Sequence, residues 1–233
     1  MSGKRDRRRP DSAPSQESPL QHDGVGVRRA DAAPVVAVAL TGGIGSGKST
    51  ALAMFSDEGA LTLSADQIVH DLYREPAVVA RIAERFGDGV VGQDGSVDRR
   101  SLSEAVGENP EHLRWLEEVT HPLVAAEIER SIADAPPGSV LVCEVPLLFE
   151  AGLEEFFDLI VTVEASPEER MRRSAHRTSM EAFLEFDRLQ ASAARRAVGS
   201  DLVFHNEGDL GALRTFVRSA YTRAVTLLDG DRE

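Results

Sequence analysis

From Pro34 onward, short apolar runs alternate with stretches whose apolar positions recur at intervals of three and four. The runs cover residues 35–40, 60–64, 140–145, 159–163 and 202–205. Most are apolar throughout, the pattern of strands buried on both faces of a parallel sheet. Between them the periodicity predicts helices over 67–86, 101–106 and 110–133. Ser166-Pro167-Glu168-Glu169 has the spacing of a capping box with proline at the first helical position. Leu210, Leu213, Phe216, Val217, Ala220, Tyr221, Ala224, Leu227 and Leu228 mark a terminal amphipathic helix. Such alternation predicts an α/β sandwich built on a five-stranded parallel sheet with right-handed crossovers. The interval between the second and third strands is far longer than a crossover needs. Residues 67–134 therefore read as an inserted helical subdomain, a natural place for a second substrate.

Residues 1–33 break this pattern. They are rich in Pro, Ser, Gly, Asp and Arg and have no apolar period. Such a segment cannot bury enough surface to offset its ordering entropy, so a disordered tail is expected, with the folded domain over 34–229. Hydrophobic residues make up 42% of the 233, enough for a core at this length. The net charge of −13 argues against a broad nucleic-acid surface, which needs basic groups. A small phosphate ligand neutralised locally remains compatible with it. No run reaches membrane-spanning length, and the N-terminus lacks the apolar segment of a secretory signal. No membrane partner and a cytoplasmic location are therefore expected. Cys143, the one cysteine, lies in an apolar run and reads as a small buried hydrophobe. The six histidines have no metal-ligand spacing, so no zinc site is expected.

The chemistry is most legible at residues 42–49, Gly-Gly-Ile-Gly-Ser-Gly-Lys-Ser, which follow the first strand directly. This is G-x-x-x-x-G-K-[ST] in its required setting, a strand running into a glycine-rich turn that opens a helix. Glycine lets backbone N–H groups converge on a polyphosphate without Cβ obstruction. The helix that follows aims its positive dipole end at the same anion. Gly43, Gly45, Ser46, Gly47 and Thr50 are the expected cradle. Lys48 supplies a charge at the β- and γ-phosphates, and Ser49 a hydroxyl for Mg²⁺. A nucleoside triphosphate such as ATP is the implied ligand.

Two acids end strands at the side where ligands of such sheets gather. Asp66, after Ser64-Ala65, has two readings: a carboxylate that accepts a hydroxyl proton, or the cap of the helix beginning near Gln67. Glu144 ends the third strand and also has two readings: the acid that holds Mg²⁺ or its waters in phosphate-loop enzymes, or an ordinary exposed charge beside Pro146. Arg170, Arg172, Arg173, Arg177, Arg188, Arg195 and Arg196 crowd residues 170–196. Planar guanidinium forks stabilise a transferring phosphoryl group, and a mobile helical lid would bring them in on closure. Two or three functional arginines are expected, the others forming a solvated face.

Residues 38–50 resemble the opening of dephospho-CoA kinases, and a collinear series of motifs continues the likeness. Asp94-Gly95-Ser96-Val97-Asp98-Arg99, Asn109-Pro110, Trp115-Leu116 and His121-Pro122-Leu123 look like that family's acceptor-binding insertion. Val145-Pro146-Leu147-Leu148-Phe149-Glu150 resembles its strand-three signature, and Asp201-Leu202-Val203 with Asn206-Glu207-Gly208 its closing strand and loop. The likeness spans residues 35–228. It implies a P-loop kinase three-layer sandwich with a helical substrate insertion and a lid over 170–196. It also implies transfer of the ATP γ-phosphoryl group, with Mg²⁺, to the ribose 3′-hydroxyl of dephospho-CoA by a monomer or weak homo-oligomer. Asp66 matches the family's base, Lys48 and Ser49 its phosphate and metal positions, with Glu144 as second metal position. His121 and Arg99 fall in its acceptor region, Arg177 at the start of its lid, and Asn206 in its nucleotide loop. Ser64 stands where the family has the first acid of Asp-Ala-Asp, Glu144 where aspartate is commoner, and Thr178 where aspartate often follows the arginine. The stretch 177–201 is slightly shorter than in the family, so Gln190 or Ser192 matches its lid glutamine, and Arg195 or Arg196 one arginine. Two other functions fit the phosphate loop: a kinase of another small metabolite, and a non-catalytic nucleotide switch.

Overall fold

The central strand runs order the molecule because they are apolar on both faces. In the computed structural model, which describes residues 34–107, 109–176 and 178–230, the runs form β1 (Val36–Thr41), β2 (Leu61–Ser64), β3 (Val140–Glu144), β4 (Leu159–Glu164) and β5 (Leu202–His205). The expected tail, 1–33, lies outside the described residues. All pairings are parallel, in the order β2-β3-β1-β4-β5. Every residue of β1 and of β3 is buried, as central strands covered on both sides require. The register places Leu40 and Ser64 on either side of Glu144, and Thr41 beside Thr162. The carboxyl ends of the central strands therefore converge on one rim.

The helices are α1 (Lys48–Asp57), α2 (Ala65–Leu72), α3 (Pro76–Phe86), α4 (Arg99–Val106), α5 (Pro110–Asp134), α6 (Pro167–Ser174), α7 (Met180–Leu189), α8 (Ala193–Val198) and α9 (Leu210–Gly230). Alternate residues of β1 face opposite layers. Val36, Val38 and Leu40 pack with Met54 and Phe55 of α1 and with Leu213, Val217, Ala220, Ala224 and Leu228 of α9. Ala39, with Cys143 and Val145, faces Ile68 of α2 and Val124 and Ile128 of α5. Three layers result. The buried stripe of α9 is narrower than its sequence suggests, because Leu210 and Leu227 are exposed.

The helix expected over 67–86 is two helices. Glu75 is extended (φ −69°, ψ 122°), and Pro76 opens α3 at its first turn. The residue before proline avoids the helical region, so the chain breaks there. A third apolar cluster fills the insertion: Tyr73, Val78, Val79, Ile82, Val90, Val97, Leu102 and Val106, with Leu113, Trp115 and Leu116 of α5 against it. Thus α5 belongs to two cores, its first half in the insertion and its second half on the sheet. The capping box expected at Ser166 does not form. The Ser166 backbone N–H and hydroxyl donate to the Glu207 carboxylate at 3.0 Å each, and Glu169 binds Arg172 and Arg173. No helix among the described residues is long and apolar enough to cross a membrane.

Candidate active site

The glycine-rich loop is squeezed between β1 and β4. Gly42 has φ 144°, and a Cβ there would lie 1.9 Å from the Val163 carbonyl oxygen, so only glycine fits. Gly47, with φ 108°, caps α1 without a side chain, which leaves the first-turn N–H groups facing the rim. Ser46 is buried, and its Oγ has no hydrogen-bond partner among the described residues. The Lys48 side chain is 8% exposed, with Nζ donating to the carbonyls of Gly42 (3.0 Å) and Gly43 (3.1 Å). Burial pulls its pKa below that of a free amine, while the Glu144 and Asp66 carboxylates work against that shift.

Glu144 is 9% exposed at the end of β3, and Ser49 Oγ donates to its Oε1 at 3.4 Å. Burial holds its pKa above the usual carboxylate range, opposed by Lys48 and reinforced by Asp66. Asp66 is exposed in the first turn of α2, and among the described residues it has no hydrogen-bond or ion-pair partner. The cap of α2 is Ser64, which makes no side-chain cap bond, so the capping reading of Asp66 is wrong. The helix starts two residues earlier than its apolar pattern suggests. Lys48, Ser49, Glu144 and Asp66 thus surround one rim, three of them linked through their fields.

The arginines divide by burial. Arg196, 3% exposed, grips Glu164 with both prongs (2.5 and 3.0 Å) and also donates to the Ala191 carbonyl. Arg170 is buried against Gly43, pairs with Asp187 of α7 at 2.5 Å and lies over the Phe183 ring. Arg173 donates to the Ser46 carbonyl (3.1 Å) and the Asn206 carbonyl (2.9 Å). Arg172 is an exposed partner of Glu169, Arg195 is exposed and reaches the Phe149 carbonyl, and Arg188 is exposed. Arg177 lies outside the described residues.

Asn206 faces the loop from β5. Its Nδ2 donates to the Ser46 carbonyl at 2.8 Å. With Gly47, Thr50, Arg173, Gly208 and Leu210 it lines a recess of about 260 Å³ at the start of α1. Gln190, not Ser192, reaches the site. Its Oε1 accepts from the Ile44 N–H at 2.7 Å, and its Nε2 donates to the Gly42 (3.2 Å) and Pro146 (3.0 Å) carbonyls. Ser192 caps α8 instead. His121 is half-buried on α5, and Arg99 is exposed at the start of α4 near Tyr73. No hydrogen bond or ion pair joins either to the glycine-rich loop among the described residues. Glu164 escaped the sequence reading although it ends an apolar strand just as Glu144 does.

Three findings place this geometry among known proteins. A sequence model described as dephospho-CoA kinase matches residues 36–211. A dephospho-CoA kinase of Shigella flexneri is 38% identical over 82% of this chain and 93% of its own length, and one of Corynebacterium glutamicum 34% identical over 78% and 96%. Among solved structures, a Thermus thermophilus protein superposes with a TM-score of 0.69 at 32% identity over 82% of this chain and 98% of its own. A dephospho-CoA kinase from Campylobacter jejuni, at 22% identity and TM-score 0.57 over 82% and 97%, shares the fold. With a rim built from Lys48, Ser49, Glu144 and Asp66 and a match across most of its length, the chain belongs to the dephospho-CoA kinase family.

Proposed function

We propose that this chain transfers the γ-phosphoryl group of ATP to the ribose 3′-hydroxyl of dephospho-CoA, giving coenzyme A. One observation carries the reading. In a chain of this family, a buried Lys48, a free-standing Asp66 and the Ser49–Glu144 pair meet at the carboxyl rim of the sheet. The loop N–H groups and the α1 dipole hold the phosphates, and Lys48 adds its charge where negative charge moves toward the bridging oxygen. The recess beside Gly47 and Asn206 receives the rest of the nucleotide. Asp66, exposed and without a partner among the described residues, is positioned to accept the hydroxyl proton.

A magnesium ion fits the donors present. Ser49 and Glu144 offer one hydroxyl and one carboxylate, and no cluster of three or more metal-binding side chains occurs among the described residues. Mg²⁺ commonly keeps its waters and shares substrate phosphates, so a sparse oxygen set is what it needs. Bound there, the ion would neutralise phosphate charge. Its field would also hold Glu144 ionised against the burial that now favours the protonated form. His121 and Arg99, in the insertion, are assigned to the acceptor. A monomer or weak homo-oligomer acting in the cytoplasm is the setting this reading expects. ADP release measured with and without dephospho-CoA tests the reading. Release that depends on that acceptor is expected. Equal release without it, or with other hydroxyl acceptors in its place, would overturn it.

A further inference from the structure

The face of α2 that carries Asp66 carries more than the proposed base. His70 follows one turn on, and Tyr73, whose backbone is still helical at the C-cap, follows on the same face. The acids that come next, Asp71 and Glu75, lie on another flank, where they line a groove with Gln67, Glu127 and Arg130. His70 is half-buried and makes no hydrogen bond or ion pair among the described residues. Arg99 is brought to the far end of this face by backbone contacts. The Val97 N–H donates to the Tyr73 carbonyl at 2.8 Å, and Asp98 then caps α4, so Arg99 opens that helix beside Tyr73. Its charge acts on the buried Tyr73 hydroxyl, opposing the upward pull of burial on that group's pKa. Arg99 is exposed, and no carboxylate pairs with it among the described residues.

Two nitrogen donors thus follow Asp66 along one face, in a chain of net charge −13. Their order matches the acceptor. The diphosphate of dephospho-CoA hangs from the ribose 5′-carbon, across the sugar from the 3′-hydroxyl. With that hydroxyl at Asp66, the phosphates fall about one helical turn away, roughly 5.4 Å, which is where His70 stands. The C-terminal carbonyls of α2 repel an anion, so an anion placed there needs donors such as these. We propose that His70, together with Arg99, binds the diphosphate of the acceptor and so sets its ribose 3′-hydroxyl at Asp66. The proposal rests on the dephospho-CoA reading and adds to it the part of the acceptor that is gripped.

Charge at position 70 separates this role from a structural one. Dephospho-CoA binding to the full chain is measured by calorimetry with the nucleotide site filled by saturating Mg-ADP. His70→Ala should weaken it about tenfold and His70→Glu about a hundredfold, whereas His70→Arg should hold it within about threefold. Mg-ADP affinity should stay within about twofold in all three, because position 70 faces the acceptor and not the glycine-rich loop. Melting curves accompany each variant. Arginine binding no better than alanine, or glutamate no worse, would overturn the proposal. Should His70→Glu not fold, the comparison of alanine with arginine decides alone. Failure of the unaltered protein to bind dephospho-CoA would instead sink the functional reading itself.

Discussion

Replacing Asp66 by asparagine isolates the proton-accepting role, because the structure removes the competing explanation. Asp66 is not the cap of α2 but an exposed residue of its first turn, without hydrogen-bond or ion-pair partners among the described residues. The stability it contributes is then limited to its charge near the helix N-terminus, about 0.3–1 kcal/mol at an exposed site. In a domain of this size that corresponds to a midpoint shift of roughly 2–4 °C at most. Its carboxylate also supports the charge on Lys48, so ATP affinity should fall slightly as that support goes. Turnover has more to lose. Without a base for the ribose hydroxyl proton, kcat should drop by about 10²–10⁴, while KM for ATP changes little. Coupled detection of ADP with saturating dephospho-CoA gives kcat, a melting curve gives stability, and calorimetry gives ATP binding. A variant that folds, binds ATP and keeps kcat within a few-fold would refute the base assignment.

Three further outcomes follow from other parts of the molecule. Arg196→Met strands the buried Glu164 carboxylate and should cost about 3–5 kcal/mol, near 10 °C in the melting curve, whereas adding Glu164→Leu should recover much of it. The Cys143 thiol is fully buried, and desolvation pushes its pKa up to about 12 from 9.0. It should therefore resist alkylation at pH 8 until the protein unfolds. Its stabilising contribution, full below pH 9, should be lost as pH rises toward 12 at about 1.4 kcal/mol per unit, visible in alkaline melting curves. Amide exchange should slow in α7 when both substrates bind and stay unchanged in α6 and α8, because Arg173 ties α6 to the loop and Arg196 ties α8 to the sheet. Equal exchange of α7 in the free and ternary states would count against a closing lid.

The strands were readable because each is apolar enough to identify itself, and their observed limits differ from the runs by about one residue, Val36–Thr41 against 35–40 for example. The glycine-rich loop was readable because its chemistry is local: a strand, a tight turn and a helix start in one stretch of chain. Where the sequence misleads, a distant partner has outbid a local one. Ser166 and Glu169 have the spacing of a cap, but the distant Glu207 claims the serine, leaving Glu169 to Arg172 and Arg173 one turn along its own helix. Gln190 and Arg196 act on residues far away in the chain, Ile44 and Glu164, and no spacing rule announces such contacts. The break at Glu75-Pro76 is different, since the proline was in plain view and the apolar period across it hid the boundary.

The shared helix α5 bears on how the molecule comes apart. At 25 residues it is about 37 Å long, and its halves are buried in different cores. Two cores on separate supports would melt separately, but here the insertion cannot open without stripping one end of a helix that also buttresses the sheet. Pro122 lies at the handover between the halves and deletes one helical hydrogen bond, so the ladder is weakest there. Partial unfolding should therefore start as one cooperative unit made of α3, α4 and the first half of α5, with Pro122 as its boundary. Arg99 and His121, the residues proposed for the acceptor, would open together while the phosphate loop stays intact. If the insertion holds the acceptor as proposed, warming should release the acceptor at temperatures where the nucleotide is still held.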